Sequence, residues 1–171
     1  MRAQTRIYSL ALAGLLMGLA ACRATGENVA PLDTVNLCAK TDTNVYPIVA
    51  ELAQTSEQRR KGLMGRETLG DNQGMLFVYD RPRSPDATFW MYRTLIPLDI
   101  AYLSKDGEIR AIREMRPCES EEASQCPSYK AGVDHQHALE MPQGFFQQRN
   151  IGTNDHIMRL DKNQKCELPP N

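Results

Sequence analysis

Apolar positions recur along this chain in short runs with a two-residue period, and long helical stripes are missing. "VNLCAK" (35–40) and "YPIVAELA" (46–53) come first, the second placing Ile48, Ala50 and Leu52 on one side, as in a strand with one covered face. "GMLFVY" (74–79), "ATFWMY" (87–92), "LDIAYL" (98–103), "EIRAIREM" (108–115), "HALEM" (137–141) and "DHIMRL" (155–160) continue the series. Turn-prone "DRPRSPD", "SKDG" and "PQG" separate several of them, and Asp106-Gly107 supplies the positive-φ position that a hairpin requires. One helix interrupts the strands. Thr55 can cap the amide of Gln58 while Gln58 reaches back, a capping box. The helix then runs through "SEQRRKGLM", with Leu63 and Met64 facing inward and Gly65 ending it.

Strands without alternating long helices argue against a parallel α/β sheet. The expectation is a mainly β single domain over residues 34–171, an antiparallel sandwich or barrel-like fold with one short α-helix. The stretch 117–136 has no period and is long for an ordered connection, so it should be functional, disordered or stapled.

The first 21 residues read as an export signal, with Arg2 and Arg6 as its basic head and "LALAGLLMGL" as its apolar segment. That segment is shorter than the roughly 20 apolar residues of a membrane span. "LAAC" matches the lipobox of bacterial lipoproteins, so Cys22 is expected to carry lipid and to anchor the chain in a membrane. Arg23 after it, where an aspartate would retain the protein at the inner membrane, points to the periplasmic face of the outer membrane. Residues 22–33 form a polar tether that spans up to about 35 Å if extended. Without the signal the chain has 18 basic and 21 acidic residues; a net negative charge without a basic stripe excludes nucleic acid as a partner.

Five cysteines are present. With Cys22 acylated, Cys38, Cys118, Cys126 and Cys166 remain, and an even number in an exported chain reads as two disulfides. Three connectivities are possible; the favoured one pairs Cys118 with Cys126 across one polar loop and Cys38 with Cys166 at the domain's ends.

The ordered set "QRRKGLMGRETL", "GMLFVY", "FWMYRTLIPLDIAYL", "DGEI", "ALEMPQGFF" and "IGTNDHI" resembles the domain of unknown function 192, a family of bacterial and archaeal proteins. The resemblance covers roughly residues 46–160 and implies a compact, mostly β domain, often exported, with no established activity. In two places this chain departs from the family pattern. A basic residue followed by Asn is usual where Tyr92 and Arg93 stand, and a Gly-Asp pair is usual at Asn154-Asp155.

Several residues could carry chemistry. Asp99 and Glu140 lie in apolar strands, where an isolated charge costs several kcal/mol. Facing one cleft they would serve as acid and base, provided their carboxyls lie roughly 5 to 9 Å apart; otherwise each is a structural acid. Trp90 and Tyr92 should share one strand face, with Phe89 and Met91 on the other, and with Arg93 and Thr94 they form a candidate platform for a sugar ring or peptide side chain. His135 and His137, with His156 and scattered methionines, are the weak candidates for metal, since a zinc site takes three or four protein ligands. No phosphate loop, dinucleotide fingerprint or nucleophile elbow is present, and no cofactor is expected. The leading reading is a non-catalytic envelope lipoprotein domain that binds an envelope glycan or peptide through residues 90–99 and 117–136. The alternatives are a hydrolase or lyase using Asp99 and Glu140, and a periplasmic metal-handling protein.

Overall fold

In the computed structural model, residues 31–168 are described; the signal segment, Cys22 and most of the tether lie outside them. The alternating runs become nine strands: β1 (Thr34–Lys40), β2 (Val45–Ala53), β3 (Gln73–Arg83), β4 (Thr88–Trp90), β5 (Leu98–Leu103), β6 (Ile109–Met115), β7 (Ser128–Lys130), β8 (His135–Pro142) and β9 (His156–Arg159). Seven form one sheet in the order β6-β5-β8-β3-β2-β1-β9, while β4 and β7 pair separately. The large sheet curls into a half-barrel. Its outer strands meet at one end, where Glu108 bridges His156 and the Ile109 amide donates to the Asp155 carbonyl at 2.8 Å.

Each face of this sheet is covered. Within the curl lie Leu37, Ile48, Ala50, Leu76, Ala101, Leu103, Leu139 and Met141, plugged by Phe145 and Phe146. On the outer face Met75, Phe77, Leu98, Ile100, Tyr102 and Ala138 pack against Phe89 and Met91, which β4 and the turn after it supply. Burying both faces explains why "LDIAYL" is apolar except for Asp99 and why all six residues of β5 are buried.

The pairing is antiparallel except for β2 with β3, which run parallel. The intervening segment, residues 54–72, supplies the dozen or more residues that a parallel crossover needs and contains α1 (Ser56–Lys61). The expected capping box is present, the Gln58 amide donating to the Thr55 hydroxyl at 3.1 Å and the Thr55 amide to Gln58 Oε1 at 2.9 Å. The helix ends earlier than expected, at Gly62 rather than Gly65. Gly62 takes φ +49 and its N–H donates to the Gln58 carbonyl, so Leu63 is buried from the following turn.

A second short helix, α2 (Phe145–Gln148), replaces the expected plain connection. Likewise β3 continues through "DRPR" to Arg83, with a register shift between Val78 and Arg83, so the turn begins only at Ser84. Both favoured disulfides, Cys38–Cys166 and Cys118–Cys126, are formed. The second staples residues 117–136, which hold a single 3-10 turn (Ala123–Gln125) and β7.

Candidate functional site

On the outer face, α1, the end of β3 and the β4–β7 pair enclose a cleft of about 410 Å³. The helix is too short to bury any residue, and its basic last turn, Arg59, Arg60 and Lys61, is presented at the cleft margin. Arg59 is fixed: its Nη1 donates to the Val78 carbonyl at 2.8 Å and to the Gln54 carbonyl. Its guanidinium lies 4.9 Å from the Tyr79 ring centre, and that of Arg83 lies 5.2 Å from the same ring. Desolvation raises the Tyr79 hydroxyl above its ordinary pKa against the pull of both arginines, so it stays a neutral donor. Among the described residues, Arg59, Arg60 and Arg83 make no salt bridge. Three guanidiniums therefore line the cleft without a carboxylate partner among these residues.

The other wall carries Phe89 and Trp90. As expected from strand alternation, Phe89 and Met91 are buried; Trp90 keeps 40% of its surface exposed. The Trp90 ring centre is 5.6 Å from that of Tyr92, and the Arg93 guanidinium lies 5.1 Å from Tyr92 on the same rim. Ser128, on β7, completes the cleft. The middle of the 117–136 stretch thus reaches the cleft.

Below the cleft, and sharing Arg59, Arg60, Phe89 and Trp90 with it, is a throat of about 20 Å³ bounded by Thr94 and Glu140. Glu140 is 4% exposed. Burial alone pushes its carboxyl up to about 8, with no hydrogen bond or charge working against the shift, so it is mostly protonated at neutral pH.

Asp99 lies elsewhere. Ile100 stands opposite Glu140 and Asp99 opposite Met141. Directly paired residues share a face and neighbours alternate, so Asp99 points to the face opposite Glu140. There its Oδ2 accepts from the Gly144 amide at 2.9 Å, fixing the turn into α2. Desolvation raises its pKa, opposed by bonds from the Gly144 and Phe146 amides. The two carboxylates expected to converge as acid and base are divided by the sheet.

The imidazoles do not converge either, His137 being half-buried. His135 is buried, with Nδ1 3.2 Å from the Val133 carbonyl and its ring 4.9 Å from that of Tyr102. Desolvation lowers the pKa of both His135 and His137, and His156 is exposed on β9. Among the described residues no three His, Cys, Asp or Glu side chains cluster as a metal site would require.

A family model described as "Uncharacterized ACR", the domain of unknown function 192, matches residues 37–158. The chain belongs to this family. Solved structures agree: a protein from Sinorhizobium meliloti 1021, described as a candidate transcription regulator, superposes with a TM-score of 0.69 at 25% identity over 76% of this chain and 96% of its own. A protein of unknown function from Novosphingobium aromaticivorans DSM 12444 gives 0.66 at 31% identity, over 76% and 88%. No curated protein matches.

Membership gives meaning to the two departures from the family pattern. Arg93 and Asn154 both take positive φ, +54 and +73, a region that Gly and Asn adopt most readily. Asn or Gly at these positions would suit the backbone that this chain adopts. At the first, the Arg93 carbonyl accepts from the Gly65 amide at 2.8 Å, which joins the "GLMG" turn to the "FWMYRT" turn beside the cleft.

Of the residues the sequence singled out, Trp90, Thr94 and Glu140 come together in the structure; Arg59, Arg60, Tyr79 and Arg83, which line the cleft, were not among them. The available signal was two basic runs, "QRRK" at the end of α1 and "DRPR" at the end of β3.

Proposed function

We propose that this domain is a non-catalytic receptor for an acidic saccharide of the cell envelope, held in the cleft beside β4. One observation carries the reading: an exposed indole, Trp90, faces the same space as three guanidiniums that make no salt bridge among the described residues. An aromatic ring stacks on the apolar face of a pyranose, and guanidiniums bind carboxylate or phosphate in paired hydrogen bonds. The volume suits a ligand of one or two sugar rings, at the lower end of typical small-molecule sites. Two disulfides place the domain in an oxidising, exported setting, in keeping with an envelope ligand. The anchor belongs to the same proposal: lipid on Cys22 holds the domain at the periplasmic face of the outer membrane, and the tether lets the cleft sample nearby polymer.

The hydrolase or lyase reading is weaker, because Glu140 is alone in the throat while Asp99 serves the other face.

Trp90 is the chain's single tryptophan, so its fluorescence reports the cleft directly. Titration with glycan fragments from peptidoglycan should quench it, neutral chitin oligosaccharides should do so far less, and Arg60→Ala with Arg83→Ala should abolish the difference. Equal response to acidic and neutral fragments, or none to either, would refute the reading.

A further inference from the structure

Glu140 occupies a position that the receptor reading does not yet use. It lies on β8 opposite Met75 of β3 and Ile100 of β5, in the middle of the sheet's outer face, where a residue is ordinarily apolar. An acid placed there without a partner destabilises the fold when ionised, and the throat above it is the only opening its carboxyl faces among the cavities described. At about 20 Å³ that throat holds a single water-sized group, since one water needs roughly 10–15 Å³. Its rim is cationic, with Arg59, Arg60 and Lys61 from α1, so an ammonium is repelled at the entrance.

We infer that the throat is a subsite for one acceptor oxygen of the bound saccharide, an acetamido carbonyl or a ring hydroxyl, to which Glu140 donates its proton. The assignment rests on the acidic-saccharide reading and sharpens it: the ligand is an N-acetylated acidic sugar, its ring on Trp90, its anionic group among the arginines and one oxygen at Glu140. A protonated acid suits this task because the bond it donates is strong in a site that excludes water. Two other titratable groups near Glu140 keep their charge states across the useful pH range: Tyr79 on β3 and Tyr102 on β5 are both raised by burial and stay neutral.

The test uses the disulfide-bonded domain with its Glu side chains carrying carbon-13 at Cδ, the Glu140 signal being assigned by its loss in Glu140→Gln, and N-acetylmuramic acid as the probe. Bound sugar that accepts from the neutral acid must stabilise the protonated form, so the Glu140 titration midpoint should rise when the probe is added. Glu140→Gln, which keeps a donor, should bind within about threefold of the native protein and lose the fall in affinity above pH 8; Glu140→Ala should bind at least tenfold more weakly at neutral pH. Trp90 fluorescence is followed in the same titration. If Trp90 responds while the Glu140 midpoint stays still or falls, the subsite is wrong and the cleft reading stands. If neither responds, both fail.

Discussion

Gly74 of β3 lies against the backbone of Glu140: a Cβ added to Gly74 would sit 2.3 Å from the Glu140 carbonyl oxygen and 2.5 Å from Met141 Sδ. The sulfur can move aside, but the carbonyl belongs to a ladder bonded on both sides and cannot. Gly74→Ala should therefore cost about 1–3 kcal/mol, the usual penalty of overpacking, and shift β8 at the residue that floors the throat. Urea denaturation checks the stability, and weaker quenching of Trp90 by acidic fragments checks the displacement.

The raised pKa of Glu140 makes stability depend on pH with a definite sign. The folded chain holds this proton to about 8, whereas the group's ordinary value is 4.5. The stabilisation is thus complete below about pH 4.5 and is lost as pH rises towards 8. The full span is roughly 5 kcal/mol from the shift. His135 and His137, with lowered pKa values, act oppositely and cost stability as pH falls through their unfolded values. Comparison with Glu140→Gln isolates the acid: the variant should be relatively more stable at pH 9 than at pH 5, by denaturant midpoints at each pH.

Asp99→Ala should behave as the loss of a structural group. It leaves the half-buried Gly144 amide without its acceptor, at a cost of about 1–3 kcal/mol, while Trp90 quenching by acidic fragments stays within error of the native protein. A loss of binding at unchanged melting temperature would instead assign Asp99 to the site.

Arg93→Asn puts at a left-handed position, φ +54, a residue that adopts that region readily. An L residue other than Asn or Gly pays about 1–2 kcal/mol there, whereas the exposed contact between Arg93 and Tyr92 contributes about 0.5 kcal/mol. The variant should be more stable by up to about 1 kcal/mol, read as a higher denaturation midpoint.

Cys118→Ser with Cys126→Ser removes a bridge between residues 8 apart, and Cys38→Ser with Cys166→Ser one between residues 128 apart. The chain-entropy model gives roughly 2.5 and 5 kcal/mol for these losses. The second pair should lower the melting temperature more. Only the first should also weaken binding of acidic fragments, because it frees the stretch that carries Ser128 into the cleft wall.

Strand positions were legible because burial alternates locally, as in β2, and because Phe89 and Met91 had to oppose Trp90 and Tyr92. Pairing was not. The parallel union of β2 with β3, and the separation of β4 and β7 into their own sheet, depend on contacts between distant segments that no local period records. The helix end was ambiguous because Gly62 and Gly65 both suit a terminus, and both take positive φ. The four residues of α2 are too few to show a helical repeat. At the site, Asp99 and Glu140 were recognisable as buried acids from their apolar neighbours. Which face each took depended on the register of β5 against β8, where a shift of one residue would have brought them together. The arginines were hidden for a similar reason, since Arg59, Arg60 and Arg83 converge only through the passage of β3 between them.

The curl of the sheet bears on life at high local density. Crowded domains meet their own copies constantly, and a sheet ending in two bare strands invites those copies to add to it. Here the Glu108–His156 bridge and the bonds beside it spend part of both terminal strands on each other. The molecule thereby shortens the backbone on which strand-by-strand aggregation could start, while its cleft, on the outer face, stays open.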